Sequence, residues 1–367
     1  MKAYTMRAII CTLTALWGAT ASTLPPRSYF FPAGQVNGTS SSDTVVGLAA
    51  FDGPHITVAN DSASNGWYFD AISEDATAAV LATLVVGYYK EAHGILLTIA
   101  WPNGTTYENN VSVGALHMHT VGDGSRSYVE GGGMSWFAAP DLSAYHLTLD
   151  LPAVGISGSI TMRSRAPAHV ACGLNVPGAS LQWTSTLGYC NPVPDADVST
   201  TLLINGSRLS FQGSGYHDQL WGLTPWVNHL TQWYWGRSSG DRYSVVFGYH
   251  IDEASNIRTF AYISEYGEAI ISQCGIVEVT PQGPGTSVPL EPGTDVESWA
   301  VRIQDPEHGE FAFTFWRVAV ISLGRSPWDR WLVRTVGGPV GGINDTGTGT
   351  VEVMSGLHLR QMGHQHG

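Results

Sequence analysis

Charge is scarce in this chain. Asp, Glu, Lys and Arg make up 13% of the 367 residues, about half the ~25% of an ordinary soluble domain. Lysine is nearly absent: Lys2 and Lys90 are the only two, so imine catalysis would rest on Lys90 alone. No basic cluster occurs and the formal net charge is −13. That excludes the electrostatic footprint of a nucleic-acid binder and makes an anionic membrane surface a poor partner. No run reaches the ~18 apolar residues that a membrane-spanning helix needs. Cysteine is limited to Cys11, Cys172, Cys190 and Cys274. Convincing amphipathic helices are also missing.

The N-terminus reads as a secretory signal over residues 1–21. Lys2 and Arg7 supply the positive start, Ala8 to Trp17 the short apolar run, and Ala19 to Ala21 a small-x-small cleavage site. Asn37, Asn60, Asn103, Asn110, Asn205 and Asn344 each open an Asn-x-Ser/Thr acceptor without Pro at x. The chain is therefore expected in the secretory lumen or outside the cell, glycosylated at these asparagines. Cys11 leaves with the signal. Cys172 and Cys190 flank a Pro- and Gly-containing loop and are expected to form a disulfide, stabilising by ~3 kcal/mol. Cys274, in a strand-like run, is expected to be a buried thiol.

What is abundant is glycine, with 43 residues, together with Thr, Val and aromatics, a composition of strands joined by tight turns. Period-two alternation marks Tyr145–Leu151 and Ile156–Met162 as a hairpin, then Tyr243–Ile251 and Phe311–Phe315, with a phase slip at Trp316 of the kind a bulge makes. Ala76–Tyr89 fits either helix or strand; its strand neighbours and Gly87 favour strand. The chain is predicted to be all-β. NGWYFDA (65–71) and TQWYWGR (231–237) form a faint repeat, which suggests two related β domains, 22–225 and 226–367.

The densest chemistry lies in GSGYHDQLWG (213–222) and QWYWGR (232–237), where rings crowd beside titratable groups. His117 and His119 share a strand face but have no third ligand near in sequence, so no metal site is predicted. Gly236–Gly240 matches Gly-x-Ser-x-Gly by letter, but a strand follows where a nucleophile elbow needs a helix, so it is read as a hairpin turn.

These landmarks, with the 155–167 run closing in MRSRAP, resemble the hydroxyneurosporene-synthase-like proteins. That family includes carotenoid hydratases and fungal Diels–Alderases, and its secreted branch performs hetero-Diels–Alder reactions. The resemblance covers residues 45 to 335. It implies two lipocalin-like antiparallel β-sandwich or barrel domains with a pocket at or between them. Members often carry a second His or an Asn after His-Asp; here Gln219 and Leu220 stand there, and no role is carried over to them.

The implied activity is a cofactor-independent cycloaddition of a humulene-type olefin with a tropolone or quinone-methide heterodiene, both small and apolar. Such a reaction needs walls and a donor aimed at a polarised carbonyl. Trp67, Tyr68, Trp221, Trp233, Trp235 and Trp316 are the candidate walls, and Tyr216, His217 and Arg237 the candidate donors. Asp218 is the candidate to orient His217 or to move a proton. Competing readings make His217 and Asp218 a buried polar pair, Arg237 a partner of Asp241 or Asp252, and Trp67 and Trp235 core residues. Two other functions fit the same residues: an alkene hydratase or isomerase with Asp218 as acid, and a lipocalin-like carrier without chemistry. Whether two copies associate as a homodimer stays open.

Overall fold

The structure is a computed structural model that describes residues 24–34, 36–87, 93–224, 229–323 and 328–356. The signal segment, Lys90, Trp226 and the His-containing tail lie outside the described residues.

Twenty-three strands form two antiparallel sheets. The first sheet is built from β1 (Arg27–Phe31), β2 (Ser64–Ser73), β3 (Ala79–Gly87), β4 (His93–Ala100), β5 (Thr106–Ser112), β6 (Leu116–Val121), β7 (Gly124–Val129), β8 (Gly133–Ala138), β9 (Ala144–Leu151), β10 (Ile156–Ser164), β11 (His169–Val170), β12 (Gly173–Leu174), β13 (Gly188–Ile204) and β14 (Ser207–Gly222). The second holds β15 (Leu230–Gly240), β16 (Tyr243–Asp252), β17 (Ile257–Glu265), β18 (Glu268–Cys274), β19 (Val277–Gln282), β20 (Ser298–Asp305), β21 (Gly309–Ser322), β22 (Trp328–Pro339) and β23 (Asp345–Ser355).

The order in the first sheet is β1-β6-β7-β8-β9-β10-β13-β14-β2-β3-β4-β5, with β11 and β12 attached beside β13. Phe31 on β1 and Ile95, Leu97 and Ile99 on β4 share one core although they stand near opposite ends of that order. The sheet must therefore curl around a single apolar interior, and His93 Nε2 on β4 reaches Phe31 O on β1 at 3.3 Å. The second sheet, β18-β17-β16-β15-β23-β22-β21-β20-β19, curls in the same way: Ile271 from one end and Val279 from the other meet in one core. The described residues thus form an all-β protein of lipocalin-like character, and the sheets divide on either side of residues 223–229.

Several sequence expectations meet the structure here. Ala79–Gly87 is a strand; Gly87 ends it at φ +78°, where a Cβ would sit 2.1 Å from Ala63 O. The Tyr145–Met162 hairpin forms, turned by Pro152–Val154 and a left-handed Gly155. The phase slip of β21 falls between Arg317 and Ala319, just past Trp316. Gly236–Gly240 lies on β15 itself, and the turn follows at Asp241–Arg242.

The expected Cys172–Cys190 disulfide is not formed. Cys172 bonds Cys274, and Cys190 is the free, buried thiol. The register explains the exchange. Val170 on β11 lies opposite Cys190 on β13, and Cys190 points into the first core against Phe51 O and His55. Two residues beyond Val170 the chain has turned into the β11–β12 hairpin, which faces β18 of the other sheet and its terminal Cys274.

Candidate active site

The period of a β-strand decides which predicted residues meet. On β14 successive side chains point to opposite faces. Tyr216 and Asp218 face the second sheet, whereas His217, Gln219 and Trp221 face the interior of the first. The expectation that Asp218 orients His217 fails for that reason. His217 sits between Asp52 Oδ1, 2.7 Å from Nε2, and Tyr68 O, 2.8 Å from Nδ1, with Phe69 stacked on its ring at 3.8 Å. Both ring nitrogens face acceptors, so the His217–Asp52 pair holds one proton more than a neutral imidazole beside a carboxylate. Ser125 and Gln219 also donate to Asp52, completing a buried polar knot inside the first core.

The same alternation sorts the predicted walls. Trp67 packs on Trp136 in the first core, and Trp221 stacks on His55 there, 4.0 Å between ring centroids. Trp316 is 51% exposed on β21 and lines nothing between the sheets. Tyr68 on β2 and Trp233 and Trp235 on β15 all belong to the cluster shared by the two sheets. Trp235 meets Tyr68 at 5.6 Å and Tyr216 at 5.0 Å. Trp183, Tyr189, Phe260 and Tyr262 extend this aromatic layer, with Trp183 edge-on to Trp233 and Phe260 at 4.9 Å each. The indole N–H groups of Trp183 and Trp235 are buried without an acceptor among the described residues.

The polar part of the layer is organised by two arginines of the second sheet. Arg237 on β15 pairs with Asp70 on β2 through both Nε and Nη2, and its Nη1 donates to Ser214 Oγ at 2.8 Å. This replaces the pairing with Asp241 or Asp252 considered from sequence: strand alternation aims Arg237 at the other sheet rather than along its own hairpin. Tyr68 donates to Asp70 Oδ2 at 3.0 Å. Arg330 on β22 pairs with Glu352 on β23 at 2.7 Å and reaches Thr98 Oγ1 on β4 at 3.3 Å.

Three buried carboxyls, Asp70, Asp218 and Glu352, therefore share the layer with two guanidiniums. Among the described residues, Asp218 is the one of the three without a cation. Its Oδ2 accepts from Tyr216 at 2.8 Å, and the Tyr216 hydroxyl meets that of Tyr189 at 2.8 Å. Burial raises the Asp218 carboxyl well above the usual carboxylate range; the Tyr216 hydrogen bond opposes this, and Glu352 and Asp70 add to it. Asp218 is thus a neutral acid. Burial raises Asp70 and Glu352 too, but Arg237 and Arg330 pull them back. Tyr68, Tyr189 and Tyr216 are held far above the ordinary phenol value by burial and neighbouring acids, so they remain donors. His169 and His250, at the edge of the layer, are lowered by burial to about 4 and are neutral.

The structure therefore brings together Tyr68, Tyr216, Asp218, Trp233, Trp235 and Arg237 from the predicted set. It adds Asp70, Tyr189, Trp183, Arg330 and Glu352, which sequence reasoning missed. Asp70 lay inside the NGWYFDA motif, two residues from Tyr68 and hence on the same strand face. Arg330 and Glu352 carried no comparable signal. His117 and His119 are engaged separately, by Glu130 and Ser28, and no group of three metal-binding side chains occurs among the described residues.

Comparison with known proteins agrees with this architecture. Residues 35–274 match the model of the Diels-Alderase-like family. The quinolone epoxide rearrangement protein asqO of Emericella nidulans is 30% identical over 282 residues, 73% of this chain and 77% of that protein. The Diels-Alderase poxQ of Penicillium oxalicum is 22% identical over 238 residues, 60% of this chain and 52% of that one. The crystal structure of CghA with Sch210972 superposes with a TM-score of 0.76 at 16% identity, over 89% of this chain and 98% of that chain; at that identity the likeness is one of fold. The chain belongs to the Diels-Alderase-like family.

Proposed function

From that family membership and the neutral acid between the sheets, we propose that this enzyme is a cyclase of natural-product biosynthesis that catalyses a (hetero-)Diels–Alder reaction. The observation that carries the reading is Asp218, a carboxyl without a cation, fed by Tyr216 and set in an aromatic layer. A neutral donor of this kind hydrogen-bonds the carbonyl of an electron-poor heterodiene and holds the charge that grows there in the transition state. Tyr68, Trp183, Trp233 and Trp235 supply flat apolar surfaces that keep an olefin and a diene in a near-attack arrangement. The substrates proposed are a terpene-like olefin of the humulene type and a tropolone- or quinone-methide-type heterodiene, both apolar enough for these walls.

A second reading uses the same residue differently. As a proton donor, Asp218 would open an epoxide or protonate an alkene, a chemistry in keeping with the epoxide-rearrangement name of the 30%-identical relative. Asp218→Asn separates the two, because the amide still donates a hydrogen bond but transfers no proton. The cycloaddition reading expects turnover to stay at about a tenth of wild type or above; a fall of ~10²–10⁴-fold would favour acid catalysis instead. Ligand binding with no product from either protein would indicate a carrier.

We place the protein in the secretory lumen or outside the cell. Asn37, Asn103, Asn110, Asn205 and Asn344 are exposed, and the disulfide fits an oxidising compartment. Asn60 is the least available acceptor, since its Nδ2 already donates to Gly38 O at 2.8 Å.

A further inference from the structure

Asp218 has two oxygens, and only one has a place for the acid proton that leaves its neighbours satisfied. Oδ2 is 2.8 Å from the Tyr216 hydroxyl, which is 2.8 Å from the Tyr189 hydroxyl. Among the described residues, Tyr189 finds no other polar partner for its hydroxyl: Trp183 and Phe260 pack on its ring. The three groups admit two hydrogen-bond directions. In one, Tyr189 donates to Tyr216, Tyr216 donates to Oδ2, and the acid proton stands on Oδ1. In the other, Oδ2–H donates to Tyr216, Tyr216 donates to Tyr189, and the Tyr189 hydrogen is left buried without an acceptor. Burying an unsatisfied donor is costly, so the first direction wins.

We propose that Tyr189 is a positioning residue that fixes this direction and so presents the Asp218 proton on Oδ1, the oxygen free to meet a substrate. The inference rests on the reading of Asp218 as the functional donor. Tyr189 reaches no reacting atom itself; it acts through Tyr216. Removing its hydroxyl leaves Tyr216 able to donate to Oδ2 or to accept from it at similar cost. It also weakens the donation that Tyr216 makes to an ionised Asp218, because chained hydrogen bonds reinforce one another. The other charged or titratable groups of the layer, Tyr68 and Asp70 on β2, Arg237 on β15, Arg330 on β22 and Glu352 on β23, are untouched by that change.

The test is Tyr189→Phe in the full chain, read by infrared spectroscopy of the protonated carboxyl band and by kinetics. The band is assigned by its loss in Asp218→Asn. The expected result is a moved band whose disappearance on titration shifts upward by about half to one pH unit. The kcat should fall about threefold to tenfold with KM little changed. A band and titration identical to wild type would overturn the proposal. If the band moves while turnover does not, the hydrogen-bond direction stands and the functional reading of Asp218 fails. Tyr216→Phe, which cuts the chain one link nearer the acid, must move the band further; no movement there would also overturn it, whatever the folding of Tyr189→Phe.

Discussion

Asp218 is neutral because the layer holds two cations for three carboxyls, and that has a cost in stability with a definite sign. Its folded-state value is raised. Below the ordinary carboxylate value near ~3.9, folded and unfolded chains both keep the proton and no penalty exists. As pH rises beyond that, the unfolded chain ionises while the folded one resists, so stability declines until pH reaches the raised folded value. Asn cannot ionise. Asp218→Asn should therefore unfold at a higher temperature than wild type at pH 7, by on the order of 1–2 °C. The gap should close toward pH 4. Equal melting temperatures across that range, measured by calorimetry, would show that Asp218 is ionised at no cost. The residue itself was legible in the sequence; its partner was not. His217 stands next to it in the chain and behind it in the fold, so adjacency misled where alternation decides.

At the scale of elements, the strands were the legible part. Alternation over Tyr145–Leu151 and Tyr243–Ile251 reports a half-buried sheet face directly, and both runs are strands. The motif GSGYHDQLWG read as a compact cluster, yet it spans β14 and divides its side chains between two faces. The elements that complete the site come from far away. β15 brings Arg237 to Asp70 on β2 across 167 positions of sequence, and Arg330 on β22 reaches Thr98 on β4 across 232. No local pattern encodes such pairings, because each strand's own propensity is satisfied without them. The disulfide failed for a similar reason: proximity in sequence favoured Cys190, whereas the β11–β13 register turned Cys172 away.

At the scale of the whole molecule, the two sheets are fastened at several points around the aromatic layer. Arg165 near the end of β10 donates to Asp195 Oδ2 at 2.6 Å, and Ser244 of the β15–β16 hairpin donates to the same oxygen. Tyr262 donates to Pro167 O at 3.1 Å and Ser272 to Gly173 O at 2.8 Å. Cys172–Cys274 joins the sheets covalently across 102 residues, a closure worth on the order of 4 kcal/mol in the chain-entropy model. Reducing agent, or Cys172→Ser with Cys274→Ser, should lower the melting temperature by several degrees, while the Cys190 thiol stays unreactive until the chain unfolds. An unchanged melting temperature after complete reduction would mean that the noncovalent fastenings alone hold the sheets together. These fastenings also define a preorganised site, the condition under which a fixed donor and fixed walls lower a barrier without rearranging.

The central claim is that the layer between the sheets directs a cycloaddition. A terpene-like olefin and a quinone-methide precursor react to some extent unaided, so yield is a weak test. The decisive measurement is the stereoisomer ratio of the adduct with and without the protein, no cofactor added. One stereoisomer enriched by the protein is the expected result. An unchanged ratio, with the substrates demonstrably bound, would contradict it.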